Sequence, residues 1–286
     1  MGKPQDLSPR LGAHLSIGKG LDGTARSAVE MEVETCQIFL RNPRGAGFRV
    51  WKDAEVATFK ETIASHQIGP VVAHIPYIVN PASGKDDLYE LAQRIISEDL
   101  KRCDLIGAAY LVLHPGSKGD LSLEEAIARL AALLNRTLAG YDGQAMILIE
   151  TMAGMGKEIC ASFEEIRMLW QAVEGRDHLG VCLDTCHLLA AGYDMVTVDG
   201  IAGMLAEAEK KIGLDKIKVV HANDSQKGKG SRVDRHAPIG TGHIGREGFA
   251  NLMRNPFLRQ LPFILETPTA TLAQDLAALR EIRVGL

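Results

Sequence analysis

Short apolar runs recur at a steady spacing along the chain. Segments such as VVAHI, YLVLH, MILIE and FILE are almost continuously apolar, which is typical of parallel strands that are covered on both faces. Eight segments of this kind predict strands at residues 11–16, 35–40, 70–75, 110–114, 145–150, 180–184, 218–221 and 263–266. The pattern therefore favours a parallel sheet with helices packed on it.

Helical patterns lie between these runs. Residues 86–106 carry apolar side chains at intervals of three and four, and further helices are predicted at residues 56–63, 122–138, 162–173, 200–212, 248–253 and 272–282. Two of these helices begin with a capping box, in which a serine is followed three residues later by glutamate. The two pairs are Ser122 with Glu125 and Ser162 with Glu165.

The alternation of eight strands with helices predicts an α/β fold, a (β/α)8 TIM barrel. An open, doubly wound sheet is the alternative, but no GxGxxG follows the first strand and no Walker A sequence occurs. The chain has 286 residues, which fits one barrel of about 250 residues with extensions. No linker or change of composition divides it. We expect residues 11–286 to form a single catalytic domain and residues 1–10 a loose N-terminal leader.

Composition narrows the function classes. The formal charge is 32 − 36 = −4, so any binding to nucleic acid must depend on a local basic patch. The N-terminus lacks the apolar segment of a secretory signal, and the longest charge-free stretch contains prolines and histidines, which argues against a membrane span. The five cysteines include no CxxC pair, so we predict a cytoplasmic protein without a disulfide framework and without membrane association.

Polar side chains follow or end every predicted strand. His14 lies on the first strand, and Arg41 and Asn42 follow the second. The remaining six strands end at His74, His114, Glu150, Asp184, His221 and Glu266. The carboxyl ends of barrel strands form one face, where active sites are built. One polar residue at a strand end is usually a cap, but six histidines and acids in succession predict a functional site.

Three further residues join this set, namely His187, Asp234 and His236. Five imidazoles and four carboxylates suit catalytic zinc, with Mn²⁺ or Fe²⁺ as substitutes. Nine ligands suffice for three metals if one carboxylate bridges two of them. Three divalent ions bring +6 against −4 from the carboxylates, which leaves about +2 to attract a phosphate. Cys182 and Cys186 flank Asp184, and they are either thiolate ligands or, as we favour, small buried residues.

Several longer stretches match a known family. They are GAHLS (12–16), LRNPR (40–44), IETMAG (149–154), CLDTCHLLAAGYD (182–194), HANDSQKGKGSRVDRHAPIGTGHIG (221–245) and ILET (264–267). With these motifs the chain resembles, from residue 11 to its end, the endonuclease IV family of apurinic/apyrimidinic (AP) endonucleases, which are zinc-dependent DNA repair nucleases. Met152 and Met155 depart from the family's pattern, which commonly reads closer to NTAGQG after the glutamate.

The resemblance implies a trinuclear zinc site. Carried over position by position, the ligands are His74, His114 and Glu150 for the first ion, Glu150, Asp184, His221 and Glu266 for the second, and His187, Asp234 and His236 for the third. Glu150 and Glu266 are the expected catalytic carboxylates. The implied reaction is hydrolysis of the DNA backbone 5′ to an abasic sugar, leaving a 3′-hydroxyl and a 5′-deoxyribose phosphate. Trimming of blocked 3′ ends is the implied second activity, and the expected state is a monomer.

The implied partner is double-stranded DNA with an abasic site or a blocked 3′ end. The family's gap-filling side chains match Arg44, a cation for the backbone, and Tyr77 and Ile78, two wedges for the base stack. Ordinary loop packing is the alternative role of Tyr77 and Ile78. The segment 224–236 carries the cations Lys227, Lys229, Arg232 and Arg235. Against two aspartates these give 4 − 2 = +2, so the segment is either a phosphate contact or a solvated loop.

Two rival functions remain open. Metal-dependent sugar isomerases and epimerases share this type of barrel, and a single-metal set of Glu150, Asp184, His221 and Glu266 would satisfy them alone. The five additional ligands favour the nuclease. A non-catalytic protein that binds lesions or holds metals is the third possibility, and a lost ligand would indicate it. None of the nine ligands is lost.

Overall fold

Eight parallel strands close into a barrel in the computed structural model, which describes residues 8–286. The strands are β1 (Leu11–Leu15), β2 (Thr35–Phe39), β3 (Val71–His74), β4 (Tyr110–Leu113), β5 (Met146–Glu150), β6 (Leu179–Asp184), β7 (Ile217–His221), β8 (Asp224–Ser225), β9 (His236–Ala237) and β10 (Phe263–Leu265). All except β8 and β9 belong to the barrel, and β10 pairs with β1 to close it. The predicted TIM barrel is confirmed, and the open sheet is wrong.

Helices surround this barrel. They are α1 (Gly20–Glu30), α2 (Asp53–Ser65), α3 (Asp86–Ile106), α4 (Leu123–Leu138), α5 (Phe163–Ala172), α6 (Thr185–Ala191), α7 (Val198–Lys211), α8 (Gly245–Arg254) and α9 (Leu272–Val284). The sequence pattern predicts neither α1 nor α6. The buried face of α1 consists largely of glycine, threonine and alanine, so it lacks the large apolar residues by which an amphipathic helix is recognised. None of the helices in residues 8–286 has the length and apolar character of a membrane span.

The two predicted capping boxes differ in the structure. At α4 the box is complete: Ser122 N–H donates to Glu125 Oε2 at 2.8 Å, and Glu125 N–H donates to Ser122 Oγ at 3.2 Å. At α5 only half of it forms. Glu165 N–H donates to Ser162 Oγ at 3.3 Å, but the Glu165 carboxylate accepts from the N–H of Ala161, one residue before the cap.

The N-terminal end of the barrel holds the first described residues. Residues 1–7 of the predicted leader lie outside the described part of the chain. Arg10 donates to the carbonyl oxygens of Glu34, Gln67 and Gly69 at 3.3, 3.0 and 2.7 Å, and Arg283 donates to the carbonyl of Pro9 at 2.9 Å. The residues just before β1 therefore lie against the body of the domain.

Candidate metal centre

The barrel interior carries an apolar layer below a polar one. The apolar layer consists of Val72, Val112, Leu148, Cys182, Val219 and Ile264, all fully buried. Each of these residues lies two positions before one of the predicted strand-end ligands. Residues i and i+2 of a strand lie on the same face of the sheet. The strand alternation therefore directs His74, His114, Glu150, Asp184, His221 and Glu266 inward at the carboxyl end of the barrel.

The other three ligands come from segments that follow β6 and β7. Asp184 caps α6 by accepting the N–H of His187 at 2.7 Å, which places the His187 ring over the barrel mouth. Asp234 lies on the loop that joins β8 and β9, and His236 lies in β9. Asp224 anchors the base of this segment. It is fully buried, and it accepts the backbone N–H groups of residues 240, 242 and 244 at 2.9, 2.9 and 3.0 Å.

The nine predicted ligands form three clusters, within each of which the potential ligand atoms lie within 4.8 Å of one another. The first cluster is His74, His114 and Glu150, the second is Glu150, Asp184, His221 and Glu266, and the third is His187, Asp234 and His236. These are the three sets that the family resemblance implies. The structure thus brings every predicted metal ligand into one connected site.

Glu150 connects the first cluster to the second. Its Oε2 lies 3.2 Å from His74 Nε2 and 3.1 Å from His114 Nε2. Its Oε1 lies 3.3 Å from His221 Nδ1. Because the two oxygens of one carboxylate face different clusters, Glu150 has the geometry of a bridging ligand.

Three of the histidines have their tautomers fixed by hydrogen bonds that point away from the clusters. His74 Nδ1 lies 2.7 Å from the carbonyl of Ile75, and His187 Nδ1 lies 2.9 Å from the carbonyl of Thr151. His221 Nε2 lies 2.8 Å from Gln37 Oε1. A ring nitrogen that donates to its carbonyl or amide oxygen leaves the other nitrogen, in the neutral imidazole, with a lone pair for a ligand. Metal-binding histidines are oriented in this way.

The third cluster contains buried nitrogens without a hydrogen-bond partner. Neither His187 Nε2 nor His236 Nε2 has one among residues 8–286. Carboxylate oxygens of Asp234 lie only 3.3 and 3.2 Å away from them, but without hydrogen-bond geometry. Nitrogen and oxygen atoms that converge in this way are satisfied by a shared cation. The donor set, imidazole plus carboxylate, fits zinc and also fits Mn²⁺ or Fe²⁺.

The electrostatics of the site also call for cations. Burial alone would raise the pKa of Glu150, but the charges of His114 and His221 hold it well below its ordinary value. Burial alone would lower the pKa of His187, but Asp184 and Asp234 raise it well above the usual range. Carboxylates that stay ionised in a buried site require positive charge close by, and bound divalent ions would supply it in place of protons on the histidines.

A cavity of about 260 Å³ opens above the clusters. It is lined by Tyr77, His114, Glu150, His187, Asp234, Arg235, His236 and Glu266. The Tyr77 ring lies 6.0 Å from that of His114 and 6.1 Å from that of His74, with 63% of the residue exposed. A ligand in this cavity would contact members of all three clusters and an aromatic ring.

Comparison with known proteins identifies the family. A family profile described as xylose isomerase-like TIM barrel matches residues 25–283. A protein of Halothermothrix orenii, described as a probable endonuclease 4, is 39% identical over 259 residues, which cover 91% of this chain and 93% of that protein. This chain belongs to the endonuclease IV family.

Solved structures agree with this assignment. The crystal structure of endonuclease IV from Thermus thermophilus is similar, with a TM-score of 0.86, 36% identity, and coverage of 97% of this chain and all of that one. A D-tagatose 3-epimerase-like protein has a TM-score of 0.72 and 18% identity over 96% of each chain. At that identity the second likeness shows a shared fold and no more.

The residues that the endonuclease IV resemblance predicts as DNA contacts lie on several loops of the same face. Arg44 is exposed between β2 and α2, and Tyr77 and Ile78 are exposed between β3 and α3. Arg235 lines the central cavity. Arg232 does not: its side chain packs over Gly154 and lines a separate pocket. The structure therefore brings Tyr77 and Arg235 to the clusters and leaves Arg232 outside them.

The β8–β9 loop exposes more positive charge than the formal net charge of its residues suggests. Asp224 is buried in its anchoring role, and Asp234 faces His187 and His236. Both acids of the segment are thus turned inward. The exposed cations of the segment are Lys227, Lys229, Arg232 and Arg235. The outward surface of this loop is basic, as a phosphate contact requires.

Two amide side chains in the centre are absent from the sequence prediction. Gln37 Nε2 donates to Glu266 Oε1 at 2.6 Å and lies 3.0 Å from His14 Nδ1. Asn223 Nδ2 donates to Glu266 Oε2 at 3.1 Å and to Asp184 Oδ2 at 2.6 Å. Glu266 is therefore held by an amide on each of its oxygens.

A sequence signal for both amides exists. Gln37 is a polar residue inside an apolar strand, and its register partner Val72 belongs to the inward layer. Asn223 lies two residues after His221. Arg41, which the sequence analysis placed at the end of the second strand, faces α3 and donates to Asp99 instead. The polar side chain that β2 turns into the site is Gln37.

The sulfur-containing residues near the site are buried or lie at its edge. Cys182 belongs to the apolar layer, while Cys186 lies close enough to Asp184 and His236 to form a further potential ligand group. Burial raises the pKa of the Cys186 thiol to about 12, which favours the neutral thiol. All five cysteines are free. Met152 is buried, and Met155 is 40% exposed.

Proposed function

We propose that this protein is a metal-dependent AP endonuclease. It hydrolyses the phosphodiester 5′ to an abasic site in double-stranded DNA and leaves a 3′-hydroxyl and a 5′-deoxyribose phosphate. The observation that carries the proposal is the convergence of nine nitrogen and oxygen ligands into three linked clusters. Blocked 3′ ends present the same phosphoester chemistry, so the same site would trim them.

Three zinc ions would be held by the three clusters, with Mn²⁺ or Fe²⁺ as substitutes. When bound, divalent ions activate water for attack at neutral pH and neutralise charge on the phosphate. Glu150 would join the first and second metal positions. Gln37 and Asn223 would keep the Glu266 carboxylate in one orientation, because each donates to a different oxygen of it. Rigid placement of these charges serves phosphoryl chemistry, which depends on positioning and charge neutralisation.

The site suits a nucleotide without a base. The cavity lies directly over the clusters, so a sugar phosphate that entered it would contact potential ligands of all three. An abasic residue is also the cheapest to extrude, since it has no base to unstack. Tyr77 and Ile78 are 63% and 39% exposed, and such apolar side chains can fill the gap that extrusion leaves.

Cations around the cavity would position the DNA. We assign backbone contacts to Arg44, Lys227, Lys229, Arg232 and Arg235, all of which are exposed. Phosphate contacts of this kind fix register and carry no sequence information, which suits an enzyme that must act at any sequence. The protein would act as a monomer on its duplex.

A sugar isomerase or epimerase is the second candidate, because the second cluster alone provides a one-metal site and the barrel is shared with an epimerase-like protein. The first and third clusters have no role in that chemistry. They therefore favour the nuclease.

The test is a nicking assay on a duplex with one tetrahydrofuran abasic analogue, which cannot undergo β-elimination. The protein is added as purified, after prolonged chelation, and after zinc is restored, and an undamaged duplex of the same sequence is the control. We expect one incision 5′ to the analogue with an extendable 3′-hydroxyl, lost on chelation and recovered with zinc. No incision by protein that carries three metals would contradict the proposal, and a sugar-phosphate epimerisation screen would then test the second candidate.

A further inference from the structure

The β2–α2 loop (residues 40–52) has a buried charge cluster beneath it. Asp99 on α3 and the side chain of Arg41 are both fully buried. Arg41 Nε lies 2.9 Å from each oxygen of Asp99, and Arg41 Nη2 donates to Asp99 Oδ1 at 2.6 Å. The partly exposed Glu98 also accepts from Arg41 Nη2, at 3.0 Å. A second guanidinium, that of Arg102, lies 3.8 Å from the Asp99 carboxylate. One buried acid on a helix therefore binds Arg41 by hydrogen bonds and lies beside the charge of Arg102, to which it makes no hydrogen bond.

These arginines bind the backbone of the loop at three points. Arg41 Nη1 donates to the carbonyl of Ala46 at 2.6 Å. Arg102 Nη2 donates to the carbonyl of Leu40 at 2.8 Å and lies 3.3 Å from that of Arg49. The carbonyls lie at the start, middle and far side of the loop. Its path is thus set by contacts with two side chains.

Aromatic residues of the loop pack on the same guanidiniums. The Arg102 guanidinium carbon lies 3.8 Å from the centre of the Trp51 ring and 4.4 Å from that of Phe48. Arg41 lies 5.0 Å from the Phe48 ring. Cation–π contacts of this kind add to the hydrogen bonds.

The two ends of the loop are anchored in the apolar core by the buried Leu40 and Trp51. Between them the loop borders a cleft of about 460 Å³ next to the start of α1, which glycines 18, 20 and 47 and both arginines help to line. Without the arginines the loop has room to move into that space. Arg44 lies on this loop, with its side chain exposed and its N–H donating to Asn42 Oδ1 at 3.0 Å.

We propose that Asp99 is a positioning residue for DNA binding: by binding Arg41 and balancing the charge of Arg102 beside it, Asp99 sets the shape of the loop that presents Arg44. The proposal rests on the proposed function, in which Arg44 contacts DNA. A loop that is already ordered in the free protein loses less conformational entropy when DNA binds. The binding free energy is then more favourable. Asp99 touches neither the metal clusters nor the DNA-facing side of the loop, because both it and its partner Arg41 are fully buried.

The test combines Asp99→Asn with Arg44→Ala and uses the zinc-loaded enzyme. On the tetrahydrofuran duplex, Asp99→Asn should raise KM by about tenfold because binding must then also order the loop, while kcat and zinc content stay near the wild-type values. Adding Arg44→Ala to Asp99→Asn should change KM little, since both act through one loop. Hydrogen exchange of residues 40–52 in the free protein should become faster.

The matched control is Asp104→Asn on the same helix. Asp104 accepts from Tyr141 Oη at 2.7 Å and from Gln144 N–H at 2.9 Å, so its loss also breaks several hydrogen bonds but should leave KM and exchange of the β2–α2 loop unchanged. If Asp99→Asn does not fold, Arg102→Met replaces it, since Asp99 then keeps Arg41 as its partner.

Wild-type KM and exchange in the Asp99 or Arg102 variant would overturn the proposal. So would an equal rise of KM in Asp104→Asn, or full additivity with Arg44→Ala. If the wild-type protein makes no incision, the proposed function fails and the positioning role fails with it. The exchange comparison then shows separately whether Asp99 orders the loop.

Discussion

At the scale of single residues, Glu150 has the most demanding position, because its two oxygens face different clusters. Glu150→Gln keeps the size of the side chain and removes its charge. Charge stabilisation by metals is worth several kcal/mol and each 1.4 kcal/mol is about tenfold in rate, so incision should fall about a thousandfold or more. The folded state should persist by circular dichroism. A variant that folds, loses metal and still cuts would contradict the metal mechanism.

The hydrogen bonds of Gln37 lead to a prediction about metal affinity. Gln37→Met keeps the volume but removes the acceptor for His221 Nε2 and the donor to Glu266. Loss of such supporting partners weakens metal binding by about 10–100-fold, which competition with a chromophoric chelator would measure. Gln93→Met on α3 is the control, since Gln93 makes one long contact, of 3.4 Å to Thr137. Equal affinity in the two variants would show that Gln37 does not support the centre.

At the scale of elements, the strands explain why so much of the centre was predictable. A strand alternates its side chains, so an apolar interior residue fixes the direction of the residue two positions later. Val72 with His74 and Leu148 with Glu150 follow this rule. At the end of the second strand the polar residues in the sequence are Arg41 and Asn42, and neither belongs to the clusters. Counting positions within the strand selects Gln37.

The β8–β9 loop is less predictable, because its shape depends on contacts between distant residues. At its base, Asp224 of β8 accepts backbone N–H groups 16 to 20 residues away, in the segment that follows β9, and no local pattern encodes such bonds. Asp234 and His236 were nevertheless predictable as candidate metal ligands from the family motif, and the structure places them in the third cluster. The geometry of the loop required the structure.

The third cluster should lose its metal first. Asp234 and His236 have side chains 33% and 22% exposed, whereas Glu150 and His221 of the second cluster are fully buried. We expect His236→Ala to retain two metals of three after dialysis, as measured by elemental analysis. His243→Ala is the control, because His243 lies in the same segment but outside the clusters. Three metals in His236→Ala would contradict the assignment of that ligand.

At the scale of the whole molecule, the eight-stranded barrel followed from the sequence because each buried parallel strand is a continuous apolar run. The helix α1 did not, since Gly23, Ala25 and Ala28 on its buried face give little amphipathic contrast. The short helix α6 begins at its cap, Asp184, within a segment that otherwise looks like an extension of β6. Packing of its small residues stabilises α1, and the Asp184 cap stabilises α6, more than the sequence pattern of either helix.

The metals should also stabilise the fold. Without bound cations, four carboxylates share one site, and two of them, Glu150 and Asp184, are fully buried. One site at 100 times its dissociation constant contributes about 2.7 kcal/mol, which corresponds to roughly 5–10 °C in Tm for a chain of this size. Calorimetry of the chelated protein should show a Tm lower by at least that amount, restored by zinc. An unchanged Tm would mean that the clusters hold no structural cation.

The central claim is that nuclease activity requires metal at three linked positions. The most direct test is a zinc titration of the stripped protein in which bound metal and incision of the tetrahydrofuran duplex are recorded on the same samples. We predict that binding ends at three equivalents and that incision rises steeply only as the third equivalent binds. Full incision at one equivalent, or no incision at three, would contradict the account.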